Sequence, residues 1–448
     1  MNRQACVAHI TARFESVVQE LLAESSSWAA GHWLYAAEHS TRDRMMAVGR
    51  LVLEILIAGQ GTGHGGQCHR DALGQERRFK EYRRKRVQTL LGSVSIERAS
   101  YHSMEAEPTT VCPLDARLGL RQGRSEGMEE LLAFTGGQLT YEESSQLLSR
   151  TLGVRLSDNT VQRTVAHWGQ VVEAERADRL PRQAPAPRMA VAVDGAKLRT
   201  AERRRKRRGS RKQHFSEHWA EAKLGVVYAF DRRGKAAATK HYTTSLNGKV
   251  SFGQALWDQI AASGADRAEQ VVWLGDGAAW VWSLRDEHLP HAVAVLDFYH
   301  ARDHLHTVAR ALYGGDPRRR RRWVTCQEKR LLTGHVDRVV RELKRCARSL
   351  GPPPKDVPDD DPRKVLADNV RYFETNASRM QYDEYRARGY PIGSGVVESG
   401  CKHVIAQRMK ITASMSWRAP QAEAVLQLRC LIRSGQWDAF WNLKRLAA

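Results

Sequence analysis

Two short apolar runs, MAVAV at 189–193 and VVWL at 271–274, constrain the fold of this chain more than any other feature. Runs of four or five apolar residues bounded by turn residues predict strands buried on both faces, as in a sheet covered by helices. Each run is followed at once by a carboxylate, Asp194 before Gly195 and Asp276 between Gly275 and Gly277. Sheets of this kind place their sites at the C-terminal ends of strands. Asp-Gly is equally a turn, and for either aspartate alone the turn reading suffices. The pair says more, because both runs fall in one stretch that alternates strand and helix. Two further strands are predicted between them, at 220–230 and 237–244, then a helix near 250–262.

The rest of the 448 residues divides around that stretch. Helical periodicity covers the first ~60 residues, with Val7, Ile10, Phe14, Val17, Val18 and Leu21 in one stripe and Met45, Val48, Leu51, Val52 and Ile55 in another. The Gly-rich GQGTGHGGQCH, the basic RRFKEYRRKR and a hairpin at 87–103, turning at Gly92-Ser93, follow. From Gly127 to about Val172 the pattern is helical, and the Pro-rich 181–187 is a linker. The predicted domains are a helical and basic N-terminal domain (1–120), a helix-turn-helix region (121–180), the first part of an α/β core (188–312), a helical insertion (313–388) and a final part of the core (389–448).

The chain holds 71 Lys+Arg against 50 Asp+Glu, a formal charge of +21, which points to a polyanionic partner, nucleic acid first. Its seven cysteines are an odd number without a C-x-x-C pair, as expected of reduced thiols in the cytoplasm rather than of a disulfide frame. No apolar run reaches the ~18 residues of a membrane span, and the N-terminus lacks a signal peptide's apolar core.

At 140–167 the sequence predicts two capped helices around a short turn. Thr140 and Glu143 have capping-box spacing, Gly153 closes the first helix, and Ser157 or Asp158 caps the second. That is the spacing of a DNA-reading helix-turn-helix, and equally of an ordinary helical hairpin. In the first case Asn159, Thr160, Gln162 and Arg163 would face a groove. A third carboxylate, Glu398, sits just beyond the turn YPIGSG (390–395), with Lys402, Arg408 and Lys410 following on the same predicted helix. A glutamate there is a dipole partner for the helix N-terminus, or a metal ligand facing phosphate. Carboxylates converging on Mg²⁺ or Mn²⁺ can hold two ions for phosphodiester attack.

VDGAK, WLGDGAAWVW, LDFYHARDHL and YPIGSGVVESGCKHVIAQRMK resemble bacterial insertion-sequence DDE transposases of the Kra type, relatives of the Mutator-like group, over roughly residues 120–430. The resemblance implies an RNase H-like catalytic core interrupted by a helical insertion and preceded by the helix-turn-helix. It further implies Asp194, Asp276 and Glu398 as the triad holding two Mg²⁺ or Mn²⁺ ions, with His300 of the Asp-x-x-His signature near the scissile phosphate. The partner would be double-stranded DNA, both transposon ends and target, bound by at least a dimer in a bacterial, nucleoid-associated protein. Paired cysteines before PLD in such proteins are here reduced to Cys112, with His102 ten residues upstream. Alternatives that share these residues are a DNA-binding regulator without activity and an RNase H-like nuclease.

Two basic runs remain, 203–212 and 318–322. Such runs are ordinarily solvated; on a nucleic-acid enzyme Arg203, Arg204, Arg205, Lys206, Arg318 and Arg319 would clamp phosphates. His64, Cys68 and His69 lack a fourth ligand and are predicted to lie in a mobile loop. Trp417, beside Arg418, is a further candidate for nucleic-acid contact.

Overall fold

The computed structural model describes residues 2–71, 74–103, 109–176, 182–203, 215–412 and 415–447. The chain divides into two units, one formed by residues 1–164 with the chain's last residues, the other by Val165–Leu446.

The first unit opens with α1 (Arg3–Ser25) and α2 (Trp33–Gly59). Val17 and Val48 of the two stripes are buried, whereas Val7 and Phe14 stay exposed, so α1 covers only part of its apolar face. The two helices fall where the periodicity predicts them, and beyond them 68–111 forms a four-stranded antiparallel sheet of β1 (Cys68–Arg70), β2 (Glu76–Thr89), β3 (Gly92–His102) and β4 (Thr110–Val111). RRFKEYRRKR is thus the body of a strand. Its cations are tolerated because several are neutralised: Arg77 binds Asp71 at 2.7 Å, and Lys85 and Arg98 share Asp115. The hairpin turns at Leu90-Leu91 rather than at Gly92-Ser93, since Gly92 already pairs with Thr89. Gly92 needs its freedom there, at φ +109°. Val87, Val94 and Ile96 bury one face of this sheet against Leu114, with Leu53 and Ile57 of α2 packed on them.

After the short α3 (Pro113–Arg117), α4 (Glu126–Gln138) leads to α5 (Tyr141–Leu152) and α6 (Asp158–Ala174). The caps are those predicted. Thr140 Oγ1 accepts from Glu143 N at 3.1 Å while Glu143 accepts from Thr140 N at 2.9 Å, and Gly153 is left-handed at φ +65°. Ser157 Oγ accepts from Thr160 N at 3.3 Å.

The second unit is built on β5 (Arg188–Arg203), β6 (Phe215–Phe230), β7 (Ala236–Ser245), β8 (Gln270–Gly275) and β9 (Val293–Leu296), in spatial order β7-β6-β5-β8-β9. β5 pairs antiparallel with β6 and parallel with β8; β6 and β7 are antiparallel, and β8 and β9 parallel. Between the strands lie α7 (Gly248–Ser263) and α8 (Ala279–His288), and after β9 comes α9 (Phe298–Tyr313). Helices α10 (Pro317–Leu332), α11 (Val336–Leu350), α12 (Pro362–Asn376) and α13 (Tyr382–Ala387) follow. The chain then forms α14 (Gly395–Gly400), a π-helical turn (Cys401–Ala406), α15 (Gln407–Met409), α16 (Ala419–Arg433) and α17 (Trp437–Ala447).

β5 is much longer than its apolar run. It continues through Asp194-Gly195, which pair with Leu224 and Lys223 of β6, so this Asp-Gly is no turn. The parallel ladder with β8 does end near Asp194, at Ala192–Leu274. Successive residues of a strand face opposite sides. Gly225 and Thr243 face α7, since a Cβ at Gly225 would lie 2.7 Å from Leu256 Cδ1 and 3.4 Å from Thr243 Cγ2. Leu224 and Tyr242, one position away, face Gly400 on the other side, where a Cβ would come within 2.9 Å of each. Asp194 pairs with Leu224 and shares its face.

Candidate active site

The close approach that Gly400 permits sets the next residue, Cys401, against the sheet. Its thiol lies 3.5 Å from Asp194 Oδ2, and Gly195 N donates to Asp194 Oδ1 at 2.6 Å. Burial, with the nearby charge of Asp276 adding to it, holds the Asp194 carboxyl above the ordinary aspartate range, although the Gly195 and Cys401 hydrogen bonds and His300 oppose the shift. Burial and the neighbouring Asp194 push the Cys401 thiol up, so it stays protonated and donates. Cys401 thus touches Asp194, and the charges of Asp276 and His300 reach that carboxyl.

Asp276 sits one residue past the end of β8, in a tight turn. Its Oδ1 accepts from Ala278 N at 3.0 Å, and its carbonyl accepts from Tyr372 Oη of α12 at 3.0 Å. Gly277, at φ +104°, leaves the space Tyr372 needs: a Cβ there would lie 2.8 Å from the Tyr372 ring. Tyr372 also stacks on His304, ring centroids 3.7 Å apart, and His304 Nδ1 contacts Asn369 Oδ1 at 2.7 Å. Burial keeps His304 below the ordinary histidine range, hence neutral.

Asp297 is buried, and both of its oxygens accept backbone hydrogen bonds. Oδ1 caps α9 by accepting from His300 N at 2.8 Å, and Oδ2 accepts from Ser394 N in the turn that introduces α14. Phe298 N adds a bond to Ile392 O at 2.9 Å. The aspartate of the Asp-x-x-His signature therefore ties the His300 helix to the Glu398 helix, while His300 itself is only half-buried.

Glu398 is exposed on α14, three residues before Cys401, and its charge is felt there. Among the described residues, no group of three His, Cys, Asp or Glu side chains is close enough to hold a metal ion, so the three carboxylates are not drawn together as one cluster, and His102 and Cys112 do not belong to one either.

The predicted DNA contacts fare differently. Asn159 and Arg163 are exposed at the start of α6, and Thr160 and Gln162 half-buried. Lys402, Lys410, Arg318 and Arg319 are exposed. Arg408 is not: it is 2% exposed, with its guanidinium 5.0 Å from the centre of the Trp417 ring. Trp417 is itself buried, bonded through its backbone to Arg199 and Ala201 of β5. Neither residue faces a ligand, because each is consumed in packing the chain's C-terminal part on the sheet. Arg203 is the last residue of β5, and Arg204, Arg205 and Lys206 lie outside the described residues. Sequence reasoning missed Cys401, Asn369 and Tyr372, and read Asp297 only as part of a signature. No described helix is long and apolar enough to cross a membrane.

No family model and no curated protein matches this sequence. Among solved structures, the Drosophila P element transposase strand transfer complex aligns with 72% of this chain and 95% of that chain, at 12% identity and a TM-score of 0.33. At that score the likeness assigns neither fold nor site to this chain.

Proposed function

We propose that this protein is a DDE transposase, which binds the terminal repeats of its element, cleaves DNA by metal-dependent hydrolysis and joins the freed 3′-hydroxyl to target DNA. One observation carries the reading: β5 and β8 are adjacent parallel strands, and Asp194 and Asp276 each stand two residues beyond the last pair of their shared ladder, Ala192–Leu274, where the charge of Asp276 adds to the burial that disfavours ionisation of Asp194. Two carboxylates that repel each other supply hard oxygen donors, which suit a hard divalent cation. The order β7-β6-β5-β8-β9, with antiparallel β7-β6-β5 and parallel β5-β8-β9, supports an RNase H-like core. The helices between β9 and α14 read as its insertion.

Asp194 and Asp276 would hold Mg²⁺ or Mn²⁺, and Glu398, exposed on α14, would complete a site for two ions. When bound, the ions supply the charge that activates the attacking oxygen and stabilises the leaving one. His300, beside Asp194, would hydrogen-bond the scissile phosphate, and its helix is kept in place by Asp297. The exposed start of α6 would read the repeat, as the second helix of a helix-turn-helix. Two ends joined in one reaction call for at least a dimer on DNA.

The test is to find short inverted repeats flanking the gene and to measure cleavage of labelled DNA that carries them, with Mg²⁺, by Asp194→Asn, Asp276→Asn and Glu398→Gln. Each removes a charge and little volume, so each is expected to abolish cleavage while preserving DNA binding. Near-normal cleavage by any one variant removes that residue from the triad.

A further inference from the structure

Residues 318–322, five arginines in a row, open helix α10 where electrostatics favours them least, because the N-terminal end of a helix dipole is positive. Asp316 caps the helix, accepting from Arg318 N and Arg319 N at 3.0 Å each, but it is one carboxylate against five cations. Arg318 and Arg319 are exposed; half-buried Arg320 and exposed Arg321 line, with Arg302, His306 and Arg310 of helix α9, a cleft of about 400 Å³. Among the described residues, Glu328 is the sole carboxylate on that lining, and its nearest approach to Arg302 is 3.4 Å. Arg310 spends one nitrogen on Thr307 Oγ1, at 2.9 Å. Arg320 Nε is buried without a hydrogen-bond partner, and Arg302 Nε has no hydrogen bond beside its ion pair with Glu328. Four arginines thus line one cleft that holds a single carboxylate among the described residues, and Arg320 keeps an unpaired donor.

We propose that this cleft binds a phosphodiester of the DNA backbone, held by Arg320 and Arg321 from one helix and Arg302 and Arg310 from the other. Guanidinium forks match the paired oxygens of a phosphate, and an unpaired buried N–H gains most from a charged acceptor. A backbone fits better than a free phosphate because exposed Arg318, Arg319 and Arg322 continue the run past the cleft, as neighbouring phosphates would require. Arg310 stands ten residues from His300 on one helix, about 15 Å at 1.5 Å per residue, or roughly four nucleotides of one strand. The inference rests on the reading of the chain as a DNA-cleaving enzyme and adds where that DNA runs.

Affinity of the full-length protein for repeat-bearing and random duplexes, measured by fluorescence anisotropy across a salt series, tests it. The pair Arg310→Gln/Arg321→Gln is expected to lower affinity on both duplexes and flatten the slope of log affinity against log salt by about 0.9 for each phosphate no longer neutralised. Arg310→Lys/Arg321→Lys keeps the charge and should retain most of the slope, which also checks folding. Arg348→Gln/Arg371→Gln, an equal charge change on exposed positions outside the cleft, should leave the slope near wild type. An unchanged slope in the cleft pair, or an equal fall in both glutamine pairs, overturns the proposal. So does loss of pyrophosphate binding by the cleft pair with the DNA slope intact, which would assign the site to a free anion. Wild-type cleavage by Asp194→Asn would instead remove the catalytic reading and leave the cleft standing.

Discussion

Asp297→Ala should loosen the contact between the His300 helix and the turn before Glu398, and its cost can be worked out bond by bond. Loss of the N-cap on α9 costs about 1 kcal/mol. Ser394 is 6% exposed, so its N–H would be left buried without an acceptor, a further ~1–3 kcal/mol. The sum is about 2–4 kcal/mol, all of it local to α9 and residues 390–400. Hydrogen exchange read by mass spectrometry should show amides of those two segments exchanging roughly 30- to 1,000-fold faster, since each 1.4 kcal/mol is a factor of ten. Peptides from the first unit serve as the internal reference. Asp297→Asn retains an oxygen for His300 N but turns an amide toward Ser394 N, so it should fall between wild type and alanine. Exchange accelerated less than about threefold by alanine would refute the brace and make Asp297 a ligand-facing residue.

Two other outcomes are expected. Because burial and Asp276 raise the Asp194 pKa in the folded protein, the stability linked to its proton is fully present below the unfolded value of ~3.9 and is lost as pH rises through the folded value. Asp194→Asn escapes that loss, so its urea midpoint should exceed wild type at pH 7 and converge on it as pH falls toward 4; a lower midpoint at pH 7 would contradict the burial argument. Gln162→Ala or Arg163→Ala should weaken binding to repeat DNA by ~1–3 kcal/mol more than binding to random DNA if the side chain contacts a base edge; equal losses on both would reduce the α6 contact to phosphate or packing.

What was legible in the sequence follows from where burial is two-sided. The runs at 189–193 and 271–274 were plain because neighbouring strands and helices cover both faces there, leaving no polar positions. The rest of β5 and the part of β2 before residue 87 were not, because their strands alternate between core and solvent and carry charges on the wet face. Arg77, Lys85 and Arg98 sit in the sheet only because Asp71 and Asp115, at other points of the chain, neutralise them. The caps at Thr140 and Gly153, by contrast, are local bonds between residues three or four apart, so spacing alone determined them.

The same distinction runs through the site. Asp194 and Asp276 could be found because each follows its apolar run directly. Cys401 reaches Asp194 across 207 residues, Tyr372 reaches Asp276 across 96 and Asn369 reaches His304 across 65, separations that leave no periodic trace. Charge was the least reliable guide. Arg408, in a basic helix, is spent under Trp417, while Arg320, in the middle of a run that reads as solvated, is half-buried with its Nε unpaired. A cation faces a ligand only where the fold leaves its donors unpaired, and that is a property of neighbours rather than of composition.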